Sequence, residues 1–170
     1  MSIAFYIAAV VAIISSALVI AGKNAVHSLL YLVVSLLAVA VVFFALGAPF
    51  IAALEVIVYA GAIMVLFIFV VMMLNQGRES VEDEAALLEP TIWRGPAILS
   101  GILVIEVIVM ICKKGLGASA ARVIEPKELS IALFGPYALA VELASILLLA
   151  GLVGAFHLGR RDVKKETKQP

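Results

Sequence analysis

Along this chain the charged positions gather in a few short stretches, and between them lie long apolar runs. A run of about 20 apolar residues is long enough for an α-helix to cross the hydrocarbon core of a bilayer. Five segments reach that length. The first is Ile3 to Ala21, closed by Gly22, Lys23 and Asn24. The second runs from about Val26 to Leu46. Gly47, Ala48 and Pro49 then predict a tight turn, with the proline placed to open the next helix. The third runs from about Phe50 to Leu74 and is stopped by Asn75, Gln76 and Gly77. The fourth runs from about Gly95 to Cys112, before Lys113, Lys114 and Gly115, and the fifth from about Ile131 to Leu158. The pattern predicts an all-α integral membrane protein with five transmembrane helices, forming a single membrane domain over residues 1–159 with a polar tail over 160–170.

Composition strengthens this reading. Hydrophobic residues make up 65% of the chain and charged ones 14%, so the bilayer is the solvent that fits. The formal net charge is zero, which gives no footprint for nucleic acid or a polyanionic partner. No basic residue precedes the run that begins at Ile3, so it reads as a retained first helix rather than a cleaved secretory signal. The single cysteine, Cys112, excludes a disulfide or a cysteine cluster within the chain and reads as a small apolar filler.

Lys and Arg set the expected orientation. With the C-terminus inside, that side holds Lys23, Arg78, Arg94 and the tail residues Arg160, Arg161, Lys164, Lys165 and Lys168, eight in all. The other side holds Lys113, Lys114, Arg122 and Lys127, four in all. Eight against four places the N-terminus outside and the C-terminus in the cytoplasm. No internal repeat or inverted pair of halves is visible, which argues against a self-contained carrier.

Three carboxylates fall within the apolar runs, Glu55, Glu106 and Glu142, and no Lys or Arg lies deep in any span. Desolvation disfavours a charged carboxylate, so partners would come from other subunits or water, or the acids carry protons. Glu55 lies about 8 Å past Phe50, with Tyr59 four residues on and the small patch Ala60, Gly61, Ala62 next. That patch allows close helix packing or a local irregularity such as a π-bulge. Glu142 is expected roughly 16 Å from a span beginning at Ile131, with Ser145 three residues on and small residues downstream at Ala150, Gly151, Gly154 and Ala155. It reads as part of a polar seam to a partner or as an acid that only holds the bundle together. Glu106 is about six residues from the end of the fourth span and is expected to snorkel to the interface. Ser28, Tyr31, Ser35, Ala38, Val42 and Ala45 share one face of the second span, most simply a packing face. Tyr6, Trp93 and Tyr137 suit an aromatic belt. His27 and His157 fall near the expected inner edge, where interfacial hydrogen bonding is a simpler role than metal ligation. The chain carries no phosphate loop, GxGxxG, CxxC or Ser-His-Asp constellation, hence no cofactor motif of its own.

The stretch from Leu54 to Leu74, LEVIVYAGAIMVLFIFVVMML, closely resembles the J subunits of bacterial NADH-quinone oxidoreductase, the counterparts of NADH dehydrogenase subunit six in mitochondrial respiratory complex I. HSLLYLVVSLLAVAVVFFALGA from His27, WRGPAIL from Trp93 and LFGPYALAVELASILLLAGLVGAFHLGR from Leu133 agree with the same family. Together these stretches cover most of the chain, while Lys113 to Ser130 and the tail after Arg161 carry no recognisable motif. The resemblance implies a non-redox, multi-pass subunit of a proton-translocating enzyme in the bacterial inner membrane. NADH, FMN, iron-sulfur clusters and quinone would be held by other subunits, and none bound here. It implies a place in the membrane arm beside the small subunit K and the quinone-site subunits, with residues 75–94 near the inner mouth of the quinone cavity. It also implies a π-bulge in the third helix between Tyr59 and Val65, whose interconversion with regular helix would make or break a water path toward carboxylates of subunit K. On that reading Glu55 tunes or relays charge, Gly61 permits the bulge, and Tyr59, Met64 and Phe67 line or block the path, with Glu142 a further candidate. Two rivals stand beside it: a structural spacer that seals the membrane arm, and a component of an ion channel or antiporter.

Overall fold

Lipid offers no partner to backbone N–H and C=O groups, so an apolar run satisfies its own hydrogen bonds by coiling. The computed structural model describes residues 3–22, 24–74, 90–114 and 123–160, and every regular element among them is helical. Helix α1 is Ile3–Ala21 and α2 is Ala25–Ala45. Helix α3 runs in three successive segments, Pro49–Leu54, a π-helical Glu55–Ile63, and Met64–Leu74. Helix α4 is Pro90–Lys114, α5 is Pro126–Phe134 and α6 is Ala138–Gly159. Five helices among the described residues are long and apolar enough to cross a membrane: Ile3–Ala21, Ala25–Ala45, Pro49–Met73, Trp93–Cys112 and Ala138–Gly159. The acidic stretch 75–89, residues 115–122 of the following loop and the tail beyond Arg160 lie outside the described residues. The chain divides into two compact units, Met1–Glu125 and Pro126–Pro170.

In the first unit α2 is the central helix, with α1, α3 and α4 packed on it. Ala25 is its only exposed residue. The α1–α2 connection is short because Asn24 caps α2: its Oδ1 accepts from the backbone N–H of Val26 at 3.0 Å and of His27 at 3.2 Å. At the far end, Gly47 takes a left-handed φ of 86°, its N–H donates to the Phe44 carbonyl, and the Ala48 N–H donates to that of Phe43. This is the Schellman arrangement, and glycine adopts the required φ without a Cβ penalty. Pro49 then opens α3, where its missing N–H costs nothing. The Ile124 N–H donates to the Gly47 carbonyl at 2.8 Å, tying the chain after α4 to this same turn.

The core of this unit joins three helices: Ala8 and Val11 of α1, Val34, Ala38 and Val41 of α2, and Leu103 of α4. Small residues at the seam bring the backbones close, which is how helices attract in lipid, where no hydrophobic effect separates one apolar surface from another. The seam is polar one turn away. The Ser16 and Ser35 hydroxyls lie 2.8 Å apart, and Ser35 Oγ also donates to the Ala12 carbonyl at 3.2 Å. Thus Ser35 and Ala38, expected to lie on a packing face, are buried at the α1–α2 contact. On α4, the Tyr31 phenol comes up against Gly95, where a Cβ would collide with it. Pro96 follows inside the helix and removes one backbone donor from its ladder.

In the second unit the structure departs from the expected fifth span. The apolar run carries back to Ile131, but the long helix begins only at Ala138, because Gly135, Pro136 and Tyr137 form a turn. Pro136 cannot donate and disfavours helical geometry at the residue before it. A Cβ on Gly135 would sit 2.7 Å from the Ile131 carbonyl oxygen, so the turn also needs glycine. Ile131 to Phe134 therefore belong to the separate helix α5. Helix α6 is mostly aliphatic, with Glu142, Ser145 and His157 among its apolar residues, and buries none of them.

Replacing Ala38 by leucine forces extra volume into the α1–α2–α4 seam and should destabilise the chain by about 1–3 kcal/mol. Ile13→Ala, on the exposed face of α1, should change stability by less than about 0.5 kcal/mol. Thermal midpoints from fluorescence-detected size-exclusion of mild-detergent membrane extracts compare the two. Equal effects would mean the seam does not hold the helices together.

Candidate functional site

The irregular part of α3 is the chain's most distinctive local geometry. At its entrance the Glu55 N–H donates to the carbonyls of Ile51 and Ala52, an α-helical pattern with a tightened component. At its exit the Met64 N–H reaches back five residues to the Tyr59 carbonyl and also to Gly61. Between them the nine residues Glu55–Ile63 are π-helical. The expectation from family resemblance placed a bulge between Tyr59 and Val65. The observed segment starts four residues earlier and ends two residues earlier, leaving Val65 in the regular helix that follows.

Gly61 has a specific place in this geometry. A Cβ built on it would lie 3.2 Å from the Val56 carbonyl oxygen, tighter than ordinary contact. Val56 is five residues back, the distance over which a π-helix closes its hydrogen bonds, so the widened turn brings that oxygen under residue 61. Glycine removes the conflict, and Ala60 and Ala62 on either side add little bulk.

The candidate residues divide by exposure. Glu55 is partly buried and Gly61 is half-buried. Met64 is buried at 3% exposure, on the part of α3 that packs against α2. Tyr59, Val65 and Phe67 are all more than half exposed and point away from this chain's interior. Residues that turn outward on a membrane helix meet either lipid or another chain. Glu142 belongs to the second unit and is exposed. With α6 beginning at Ala138, it stands about 6 Å into the helix rather than roughly 16 Å. Ser145 Oγ donates to the backbone carbonyl of Glu142 at 2.8 Å, so that hydroxyl serves the helix and not the carboxyl.

Sequence reasoning misplaced one acid. Glu106 does not snorkel to the interface: it is 8% exposed, and neither carboxyl oxygen has a hydrogen-bond partner in this chain. It lies on the face of α4 that also carries Pro96, Leu99, Leu103, Val107 and Met110, the face turned to α1 and α2. Spacings of three and four along that series were the available signal. The helix is apolar on every side, so composition alone did not say which stripe faces inward.

Of the histidines, His27 stacks edge-on to Tyr31 with ring centroids 4.9 Å apart, and its buried Nε2 has no partner in this chain. His157 is exposed on α6. Among the described residues no group of three His, Cys, Asp or Glu side chains gathers in a way that could hold a metal ion. The described part of the chain thus offers helix geometry and isolated carboxyls as its chemistry.

Comparison with known proteins agrees with this picture of a membrane subunit. The sequence model of the family described as NADH-ubiquinone/plastoquinone oxidoreductase chain 6 matches residues 15–158. A Pseudomonas aeruginosa protein named NADH-quinone oxidoreductase subunit J is 54% identical over 166 residues, which is 97% of this chain and 100% of that relative. The protein of the same name from Escherichia coli is 55% identical over 162 residues, 95% of this chain and 88% of the relative. One from Buchnera aphidicola is 49% identical over 160 residues, 94% and 98% of the two chains. With the family match spanning most of the chain and the identities near one half, the chain belongs to the NADH-ubiquinone/plastoquinone oxidoreductase chain 6 family.

Proposed function

We propose that this chain is a non-redox, membrane-arm subunit of a proton-pumping NADH:quinone oxidoreductase, and that it couples quinone reduction to proton translocation through a switch in α3. The relatives' name, NADH-quinone oxidoreductase subunit J, supports the assignment to the enzyme. The π-helical segment Glu55–Ile63 is the observation that carries the coupling reading. An α-helix turns by about 100° per residue. Each residue by which the π segment is over-filled therefore offsets everything beyond it by about that angle. Return to regular geometry would swing Val65, Phe67 and the rest of Met64–Leu74 around the helix axis. Side chains that now face outward would then turn against a different neighbour.

In this reading electrons pass from NADH through FMN and iron-sulfur clusters to quinone in other subunits, and this chain binds none of those groups. Tyr59, Met64 and Phe67 open or close a water path toward the adjoining subunit K. Glu55 tunes or relays charge at the end of α3 near the Gly47 turn, and Glu142 adds a carboxyl on α6. The chain sits in a bacterial inner membrane, N-terminus outside and C-terminus cytoplasmic, with the quinone-site subunits also among its neighbours. The excess of Lys and Arg assigned to the C-terminal side supports that orientation.

The assignment is tested by a mild-detergent pull-down of the tagged chain from its native membrane. Inhibitor-sensitive NADH-quinone reductase activity should come down with it in a many-subunit complex, and an isolated chain without that activity would refute it. The switch is tested by Gly61→Leu. The new side chain crowds the Val56 carbonyl in the π-helical geometry and so favours regular helix. Protons pumped per NADH oxidised should fall while complex yield on native gels stays near wild type. Parallel loss of both would mark Gly61 as a packing residue. Glu55→Gln and Tyr59→Phe should also lower the pumping ratio measured in reconstituted vesicles. Unchanged pumping by both would favour the structural-spacer role.

A further inference from the structure

Glu106 sits where neither a spacer nor the α3 switch requires an acid. The helix face that carries it is otherwise apolar, with Leu103 before it and Val107 and Met110 after it packed into the α1–α2–α4 core. Its immediate neighbours in sequence, Val104, Ile105 and Ile108, are each more than half exposed, so the helix has turned its one central acid inward and its aliphatic residues outward. A long, flexible side chain able to reach the interface would have done the reverse if it carried a charge.

Neither Glu106 carboxyl oxygen has a hydrogen-bond partner among the described residues. The helices packed on α4 are α1 and α2. Their titratable residues are Tyr6 on α1 and His27 and Tyr31 on α2, with no Lys, Arg, Asp or Glu in either helix. Tyr31 meets α4 at Gly95, eleven residues or about 16 Å before Glu106 along the axis, and His27 lies beyond it. Within α4, Arg94 is twelve residues before Glu106, about 18 Å, while Lys113 and Lys114 are about 10–12 Å further along. Glu55, the acid of α3, is on a helix that packs against α2. Ser15 Oγ, another fully buried polar atom of this bundle, has no partner either, so it does not serve the Glu106 carboxyl. An ionised carboxylate so placed loses its hydration without a counter-charge or a donor, whereas the neutral acid loses far less.

We infer that Glu106 is a proton-binding site of the α1–α2–α4 bundle, held as the neutral carboxylic acid. The ligand is a proton, and the site is separate from the π-helical segment of α3. It lies about one helical turn below the level of the Gly47 turn, because Gly95 pairs with Tyr31 and the parallel run of α2 ends three residues past the level of Glu106. A proton there is about one turn from that end of the bundle.

A neutral acid in an apolar setting has a diagnostic reaction. Its O–H proton passes to one nitrogen of a hydrophobic carbodiimide while the carboxyl oxygen bonds the central carbon. The resulting O-acylisourea rearranges by oxygen-to-nitrogen acyl transfer to a stable N-acylurea, with every atom of the reagent retained. The experiment treats the assembled protein in its native membrane with dicyclohexylcarbodiimide and maps adducts by peptide mass spectrometry. In parallel, infrared spectra of purified wild type and Glu106→Gln are compared for the C=O stretch of a protonated carboxyl. The expected result is an adduct on Glu106 and none on the exposed Glu125. The C=O band should be lost in Glu106→Gln, with thermal midpoint and assembly unchanged. An unaltered infrared spectrum in that variant would overturn the inference. So would loss of assembly in Glu106→Gln together with no adduct in wild type, since that pair of results describes an ionised carboxylate paired with a cation on another chain.

Discussion

Close approach of α1, α3 and α4 to one central helix is the constraint on which the first unit rests. In lipid, apolar side chains gain nothing by leaving their solvent, so helices associate through van der Waals fit and the few hydrogen bonds they exchange. Ala8 and Ala38 are completely buried and let α1 and α2 meet backbone to backbone. The Ser16–Ser35 pair and the bond from Ser35 to the Ala12 carbonyl then lock the two helices in register. Gly95 does the same for α4 by admitting the Tyr31 ring. Met64 and Ala52, the two buried residues of α3, flank the π-helical segment, which itself also packs against α2.

That last arrangement matters for the proposed coupling. The π-helical residues Glu55–Ile63 include no buried residue, while the segments on both sides are anchored. A stretch that packs on α2 without burying any of its side chains can change helical pitch with less disturbance to the core than one whose side chains fill it. The cost of the irregular hydrogen bonding is borne locally, and Gly61 keeps it low by sparing the Val56 carbonyl a steric neighbour. Tyr59, Val65 and Phe67 face outward, so in the proposed switch a rotation would carry them across the outer surface of this chain rather than through its core.

The polar economy of the bundle is sparse and uneven. Hydroxyls of Ser16, Ser35 and Ser145 find acceptors within the chain, as short side chains on helices commonly do. Glu106 is the exception among the acids, turned into a face where every packed neighbour in the cluster is apolar. Glu142 stands near the start of an exposed helix, so two acids that look alike in the sequence occupy opposite environments. The rest of α6 is largely aliphatic, and none of its residues is buried.

The sequence by itself determined the number of candidate spans and the helical class, because in a bilayer an apolar run has no other way to satisfy its backbone. It also determined the turns: Gly47 before Pro49 is legible as a left-handed glycine followed by a helix-opening proline. Gly135–Pro136 carried an equally legible break, and the apolar run around it hid that break by continuing on both sides. The motif in α3 was recognisable from Leu54 to Leu74, but the limits of its π segment were not, since α and π geometries share the same residues and differ only in which carbonyl each N–H selects. The packing face of α2 was legible from its stripe of small and polar residues, whereas which face of α4 turns inward was decided by the tertiary structure. A helix apolar all round has no preferred face until its neighbours press small residues together, and α4 is such a helix. That choice buried Glu106 at the seam, and the packing of α3 left Tyr59 and Phe67 facing out.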